Sequence, residues 1–500
     1  MKKRKILRDL KASFYYTGKV LNAFSFVLIL PLFVAVLFKE WYMFFVFLLT
    51  IGVSLLLGSF FELLFKTTKE LNWLSGMLIV VITWLVAVLI SAIPCYLSGF
   101  YGSYLDSIFD AMSGYTTTGL SVIQDLDHAP YSLHTWLHLM QYVGGQGIIV
   151  LALIFLARGL KGAIKSYLGE AREDRLWPNI KATAASIWKI ANVYAFIGTT
   201  ALFVVFLNQD IEPVDSFFHA LWITMSGWAT GGFAPSSLSV IAYHSLLAEI
   251  LIMLILFVGS MNFAVHFAVW RGKITELFKN IELRAYLVYF LFSYLIVIFG
   301  LIAKNFYHGT VANFRLAAFQ TISAVTGTGY FNVIPNIVVG YWGELAIFGL
   351  TLAMAFGPCS CSTAGGIKGI RVALNIKGVY HEIKRIISPD NSIVITYYHH
   401  LRKQILTDNQ VKMSALITIA YVCTYLIGAI AGSYLGYPFL LSLFESVSAT
   451  ANVGLTAGIT SSMMPTVLKV IYIFQMWLGR LEFTALLVLI GYALVLIRGK

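Results

Sequence analysis

In a chain of 500 residues, 59% hydrophobic and 12% charged with a mean hydropathy of +0.81, a soluble globular or disordered protein is excluded and a bilayer is the expected solvent. The net charge of +12 would suit a nucleic-acid binder if the basic residues were clustered, but their distribution follows the membrane instead. Four cysteines, Cys95, Cys359, Cys361 and Cys423, lie in or beside apolar runs without framework spacing, which argues against a disulfide scaffold.

Apolar windows long enough to span about 30 Å of hydrocarbon as a helix fall near 20–38, 42–65, 72–97, 134–157, 183–207, 243–270, 284–303, 341–375, 411–434 and 465–497. The first follows the basic cluster MKKRK but has a long apolar core and no small-residue cleavage pattern, so it is expected to remain as an anchor. With the N-terminus inside, all of the 35 basic residues except Lys39, Lys189, Lys304, Arg315, Lys469 and Arg480 fall on the inner side, the expected positive-inside bias. Asp125, Asp127, Asp210, Glu212 and Asp215 fall outside and are expected to form an acidic vestibule that concentrates cations.

Self-comparison finds one loop four times. From Ser113 the chain reads SGYTTTGLS, from Ser226 SGWATGGFA, from Ser323 SAVTGTGYF and from Ser448 SATANVGLT. The copies align without a gap, each with a glycine six positions after the serine: Gly119, Gly232, Gly329 and Gly454. A single match of this kind is ordinarily a turn or a close helix contact. Four copies, each after a short helical stretch such as DSIFDAMSG or FLLSLFESVSA and each between two spans, have another meaning. Extended backbone at membrane depth must be buried in protein or face a water-filled path. Glycine permits the positive φ that aligns successive carbonyls, and a ring of carbonyl oxygens can replace the water around an alkali cation. Each loop therefore reads as one quarter of an ion filter, with the short helices aiming their partially negative C-terminal ends at the same axis.

These loops, with QYVGGQGIIVLAL at 141–153, STAGGIKGIR at 362–371 and GRLE at 479–482, resemble the Trk/Ktr/HKT superfamily of potassium transporters, in particular the bacterial TrkH/TrkG-type membrane subunit. The resemblance covers nearly the whole chain. It implies an all-α membrane protein of four pseudo-symmetric helix–pore loop–helix repeats around one central pore, plus two N-terminal transmembrane helices. The expected divisions are 1–70 for the N-terminal pair, then 71–182, 183–283, 284–410 and 411–500 for the repeats. It also implies potassium as the transported ion, with Thr117, Thr118 and Gly119, Thr230, Gly231 and Gly232, Gly327, Thr328 and Gly329, and Asn452, Val453 and Gly454 forming the filter. Related sodium carriers often have serine at the first filter glycine, where this chain has Gly119. The residues before the glycines differ among the four loops, which predicts modest selectivity.

The window 341–375 contains FGPCSCSTAGGIKG, which a helix seldom survives. Pro358 lacks a backbone donor, Gly357, Gly365 and Gly366 each weaken helix by about 1 kcal/mol, and Ser360, Ser362 and Thr363 can satisfy backbone freed by the break. The bland reading is a kink; the functional one, which the resemblance also implies, is an intramembrane gate under the filter. Arg480, about fifteen residues into an expected 33-residue helix, should face the pore and this segment, because a charge at mid-membrane costs at least about 2.5 kcal/mol otherwise. An ion pair with Glu482 is disfavoured, since residues two apart on a helix do not face each other.

His134 and His138 have i, i+4 spacing, but no third metal ligand is evident, and His399 with His400 suits an interaction surface. No nucleotide-binding loop, metalloprotease helix or nucleophile elbow is present, so neither an enzyme nor a resident cofactor is expected. The alternative to a gated channel is a secondary transporter coupling potassium to H⁺ or Na⁺, which needs ionisable groups near the midplane. Arg480 and Glu482 are the evident pair. About 19 residues precede the first window and the last window reaches about 497, too little for a domain of ~100 residues. The resemblance implies that regulation comes from a separate cytosolic ring of nucleotide-binding RCK domains, TrkA in this branch, and that the chain forms a homodimer in the bacterial inner membrane with both termini cytoplasmic. Arg158, Lys161 and Lys165, with Lys384 and Arg385, are the expected ring-docking residues.

Overall fold

The long apolar windows become helices because lipid offers the backbone no other partner. The structure, a computed structural model, describes residues 2–68, 73–147, 180–307, 309–360, 362–389, 392–483, 488–492 and 494–495. Among these, six helices are long and apolar enough to cross a bilayer, and the bent pair Leu246–Gly259 and Phe263–Trp270 makes a seventh. The regular strands described form one hairpin, Tyr397–His400 with Arg402–Ile405, in the antiparallel register Tyr397 to Ile405.

The N-terminal region is Lys2–Phe24, Ile29–Leu37 and Trp41–Leu64. The first helix begins well before the expected residue 20, and its early turns are packed rather than free. Asp9 is buried and accepts from the Tyr492 hydroxyl at 3.1 Å, and Thr17 meets Thr83 at 3.1 Å. Glu40 fastens this region to the rest by accepting from the amides of Tyr131 (2.7 Å) and Ser132 (3.1 Å), at a helix N-terminus where a carboxylate is favoured.

Four repeats follow, each an outer helix, a pore helix, a loop and an inner helix. The outer helices are Trp73–Leu97, Ile180–Leu207, Ile281–Lys304 and Asp408–Tyr434. The pore helices are Tyr104–Tyr115, Pro213–Trp228, Thr310–Thr326 and Phe439–Ala451. Local signals start them: the Ser103 hydroxyl accepts from Asp106 N at 3.2 Å, and Pro213 occupies the first turn, where its missing donor costs nothing. Each pore helix packs against its own outer helix and against the inner helix of the preceding repeat, the first pore helix meeting the inner helix of the fourth repeat. The repeats therefore close on themselves.

The inner helices differ from the straight spans that hydropathy suggests. The first, Tyr131–Gln146, ends at Gly147 with φ +94°, and the rest of that window lies outside the described residues. The second bends by 100° between Gly259 and Phe263. The third is Glu344–Ala355, then an extended segment, then Gly369–Ile386. The fourth is Thr466–Arg480, followed by a turn in which Glu482 and Phe483 have φ of +49° and +65°. Arg480 thus ends a 15-residue helix instead of lying inside one of 33, and its guanidinium reaches the broken segment of the third inner helix and the end of the first. Carbonyls left open at these breaks accept from buried tyrosines of the outer helices: Tyr289 to Gly357 O (2.5 Å), Tyr425 to Ala355 O (3.1 Å) and Tyr421 to Gly479 O (2.8 Å).

Polar links close the seams between repeats. Lys469 of the fourth inner helix meets Asp106 of the first pore helix at 2.6 Å, with both side chains 8% exposed, and Arg315 of the third pore helix holds Glu249 of the second inner helix by two bonds of 2.8 Å. Removing one partner of a buried pair strands the other charge at a cost of about 3–5 kcal/mol. Asp106→Asn or Lys469→Met alone should therefore lower the thermal unfolding midpoint of the purified protein sharply, while the double variant recovers much of the loss. Additive losses would show that the two side chains are not coupled.

Candidate ion pathway

The four pore helices end in the same way. The amide five residues after each serine donates to that serine's carbonyl: Thr118 to Ser113 (2.8 Å), Gly231 to Ser226 (2.8 Å), Thr328 to Ser323 (3.0 Å) and Val453 to Ser448 (2.9 Å). The amide before it reaches the residue after the serine, completing a Schellman motif. That motif needs a left-handed residue, and Thr117 (φ +55°), Thr230 (+51°), Gly327 (+72°) and Asn452 (+55°) occupy it. A left-handed residue other than glycine costs roughly 1–2 kcal/mol, so the two threonines are held against an intrinsic penalty. Two residues on, Gly119, Gly232, Gly329 and Gly454 have φ of +84°, +85°, +89° and +99°.

The glycines lock the loops into a ring. A Cβ on Gly119 would overlap the carbonyl oxygen of Gly231; on Gly232, that of Thr328; on Gly329, that of Val453; and on Gly454, that of Thr118. Each loop touches the next and the fourth touches the first. All four glycines line one cavity of about 320 Å³, together with Ser121, Ser236, Ser237, Ser239, Thr456 and Thr460. Its lining is uncharged, and the acids expected outside it include Asp127, which is bonded to the lining residue Ser237. Asp127 is bonded to Ser237 N (2.9 Å), Asp125 lies against His128 (2.9 Å), and Asp215 accepts from the Tyr131 hydroxyl.

Two carboxylates that the sequence reading passed over hold the outgoing strands. Asp110 accepts from Ser121 Oγ (2.5 Å), Val122 N (2.8 Å) and Tyr101 OH (3.0 Å). Glu445 accepts from Thr456 Oγ (2.5 Å) and from the amides of Ala457 (3.2 Å), Ile459 (3.0 Å) and Thr460 (3.0 Å). Both stand three residues before the repeated serine, so extending the self-comparison upstream would have found them. Gln141 does similar work for the second loop: its Nε2 donates to Gly231 O at 2.6 Å and its Oε1 accepts from Phe233 N at 3.2 Å. Asn452 Nδ2 ties the fourth loop to Thr118 Oγ1 at 2.9 Å.

The broken segment of the third inner helix lies against the left-handed residue of every loop. Thr117 Oγ1 donates to Thr363 O at 3.1 Å, and Thr230 Oγ1 meets Thr363 Oγ1 at 3.0 Å. A Cβ on Gly327 would lie 3.3 Å from Ala364 Cβ, and one on Gly365 would overlap Asn452 Oδ1. Backbone freed by the break finds partners: Ser362 Oγ donates to Cys359 O (2.6 Å), Gly369 N to Pro358 O (2.7 Å), and Ser360 N to the buried Glu282. Gly357 packs on the backbone of Gly365 and Gly366, which only a glycine allows. Arg480 spans this segment and the end of the first inner helix, donating to Thr363 O, Gly144 O (2.6 Å), Gly145 O (3.2 Å) and Thr117 Oγ1 (3.2 Å). Glu482 pairs with Arg371 of the STAGGIKGIR motif, not with Arg480.

His134 and His138 stack on Trp222 with ring centroids 5.0 and 5.7 Å away, and no group of three metal-ligating side chains occurs among the described residues. His399 meets Glu276 at 2.9 Å. Arg158, Lys161 and Lys165 lie outside the described residues; Arg385 is exposed and paired with Glu382 at 2.7 Å.

Four pore loops interlocked around one axis, inside closed helical repeats, define a pseudo-fourfold membrane protein of the cation-transporter class. The chain belongs to the TrkH family of cation transport proteins, whose model matches residues 43–493. It is 30% identical over 488 residues to an uncharacterized cation transporter of Methanocaldococcus jannaschii, covering 96% of this chain and 95% of that one. It is 29% identical over 483 residues to the Trk system potassium uptake protein TrkH of Halomonas elongata, covering 94% and 96%. The crystal structure of the potassium transporter TrkH from Vibrio parahaemolyticus has the same fold, with a TM-score of 0.79 at 24% identity over 96% of this chain and 98% of that one.

Hydrogen bonds to a charged acceptor contribute about 1.5–3 kcal/mol each. Asp110→Ala and Glu445→Ala should each lower the unfolding midpoint and speed amide exchange at Val122 or at Ile459 and Thr460. Ile223→Val, at the matching position of the second copy, should leave exchange in its own loop unchanged. Unaltered exchange in both carboxylate variants would remove these residues from the support of the loops.

Proposed function

We propose that this chain is the ion-translocating subunit of a Trk-type potassium uptake system, conducting K⁺ through the ring of loops. The observation that carries the reading is the cyclic contact of Gly119, Gly232, Gly329 and Gly454 with the carbonyl of the next loop, which leaves backbone oxygen as the ligand available to a cation on the axis. Pore-helix C-termini add partial negative charge there, and the cavity outside is lined by uncharged residues, serines and threonines among them. The residues from Thr117 to Gly119, Thr230 to Gly232, Gly327 to Gly329 and Asn452 to Gly454 form the filter in this reading. Serine at any of the four glycines must push into the neighbouring backbone and adopt a φ that L-residues avoid. Gly119→Ser should therefore lower K⁺ preference over Na⁺ severalfold in ion-competition flux, and Gly232→Ser, which overlaps Thr328 O, should do the same. Wild-type selectivity in both would exclude this ring as the filter.

The segment from Gly357 to Gly366, with Pro358, Ser360, Ser362 and Thr363, acts as the gate, and Arg480 holds it shut. Two features support this: contact with all four loops, and a fixed positive charge within hydrogen-bond reach of Thr117. Arg480→Ala should raise basal flux severalfold with selectivity retained; loss of flux in folded protein would assign Arg480 an obligatory transport role. In planar bilayers under opposed K⁺, Na⁺ and pH gradients, a reversal potential that follows K⁺ alone identifies a channel, and one that moves with pH or Na⁺ identifies coupled symport. A cytosolic nucleotide-binding RCK ring would open the gate by pulling on Gly369–Ile386, the helix that continues from it and carries Lys384 and Arg385. The exposed Ile376, Val379 and Ile383 of that helix suit packing of a second copy.

A further inference from the structure

At the end of the third outer helix away from the pore loops, a cavity of about 360 Å³ is lined by Lys279, Ile281, Arg284, Lys377, Tyr397, Tyr398, His399 and Lys403. The four cationic residues come from separate pieces of chain: the turn before Ile281–Lys304, the first turn of that helix, the helix Gly369–Ile386, and the strand Arg402–Ile405. No carboxylate lines the cavity. The nearby Glu276 is taken by His399 Nε2 at 2.9 Å, and among the described residues none of the four cations is in an ion pair. Lys403 Nζ sits 4.1 Å over the Tyr397 ring, which holds it on the cavity wall. Arg284 Nε donates to Phe278 O at 2.6 Å, which orients the guanidinium and uses one of its five donors. Four like charges gathered round one space repel each other, and an anion placed between them turns that cost into attraction.

We propose that this cavity binds a phosphate group. Three lysines and an arginine line the cavity with no carboxylate among them, a basic lining that suits phosphate oxygens, whether of a lipid's singly charged diester or of the more highly charged free ion. Its place fits either of two sources. The adjoining outer helix exposes Leu287, Val288 and Leu291, an apolar face suited to acyl chains, so the headgroup of an anionic phospholipid can reach the site from the bilayer. A soluble phosphate can reach it from the aqueous side. Because the hairpin packs against the base of the third outer helix, and Lys377 sits on the helix that continues from the broken segment, occupancy would fasten that segment's far end. The inference stands on the cavity alone and does not depend on which ion the chain conducts.

The test uses the full chain in nanodiscs of phosphatidylcholine, with or without phosphatidylglycerol. Native mass spectrometry reads lipid retention, and the unfolding midpoint reads titration with inorganic phosphate or pyrophosphate. The wild type should retain phosphatidylglycerol or be stabilised by the soluble anions, which names the source. Arg284→Gln with Lys403→Gln should weaken whichever is bound by roughly tenfold or more, Arg284→Lys should restore part of it, and Lys66→Gln, an exposed basic residue outside the cavity, should change nothing. Equal binding by the wild type and the double variant, or no binding of either probe, overturns the proposal.

Discussion

The contact of one glycine Cα with the carbonyl of the next loop, repeated until it returns to its start, is the constraint on which the rest of this structure depends. It can be made only if all four pore helices end at one level and turn by the same left-handed residue. The Schellman ends, the closed packing of inner helix on following pore helix, and the Lys469–Asp106 and Arg315–Glu249 seams all serve that alignment. Carboxylates at Asp110 and Glu445 then fasten the segments leaving the first and fourth loops, which would otherwise leave amides unmatched away from water.

The fourfold pattern is broken at several positions of each loop, and at the left-handed position the break has a cause. Thr117, Thr230, Gly327 and Asn452 occupy equivalent left-handed sites, yet one asymmetric segment from the third repeat lies against all of them. A hydroxyl suits the first two because Thr363 offers a carbonyl and a hydroxyl there. Gly327 leaves room for Ala364, and Asn452 packs on Gly365. The loops differ because they meet different atoms of one irregular segment, while their backbones remain alike.

Breaks in the inner helices are a second shared feature. Each break releases carbonyls that need donors, and the chain supplies tyrosines from the outer helices at the third and fourth, Arg480 at the first and Thr363 at the second. Arg480 thereby joins the end of the first inner helix to the segment below the loops, so a change in either is felt by the other.

Much of this was legible in the sequence, since local chemistry repeats there: four serine-to-glycine spacings, a proline among glycines at Gly357–Gly366, and hydropathy that requires a membrane. What the sequence could not supply was everything that depends on which repeat touches which. Hydropathy drew the second and fourth inner helices as continuous spans, because an apolar window does not register a turn whose freed carbonyls are satisfied by distant side chains such as Thr363 and Tyr421. The sequence placed the outer acids but not their partners, which are Ser237 for Asp127 and Tyr131 for Asp215. Asp110 and Glu445 went unnoticed because a carboxylate on a short helix has no visible purpose until the strand it receives has folded back onto it. By itself the sequence determined the membrane, the count of repeats and the glycine in each loop, all consequences of local backbone and solvent requirements. Only the tertiary structure decided the cyclic order of the loops, the partner of each buried charge and the atoms that Arg480 holds, because those are contacts between residues from about a dozen to several hundred positions apart, set by packing around a common axis.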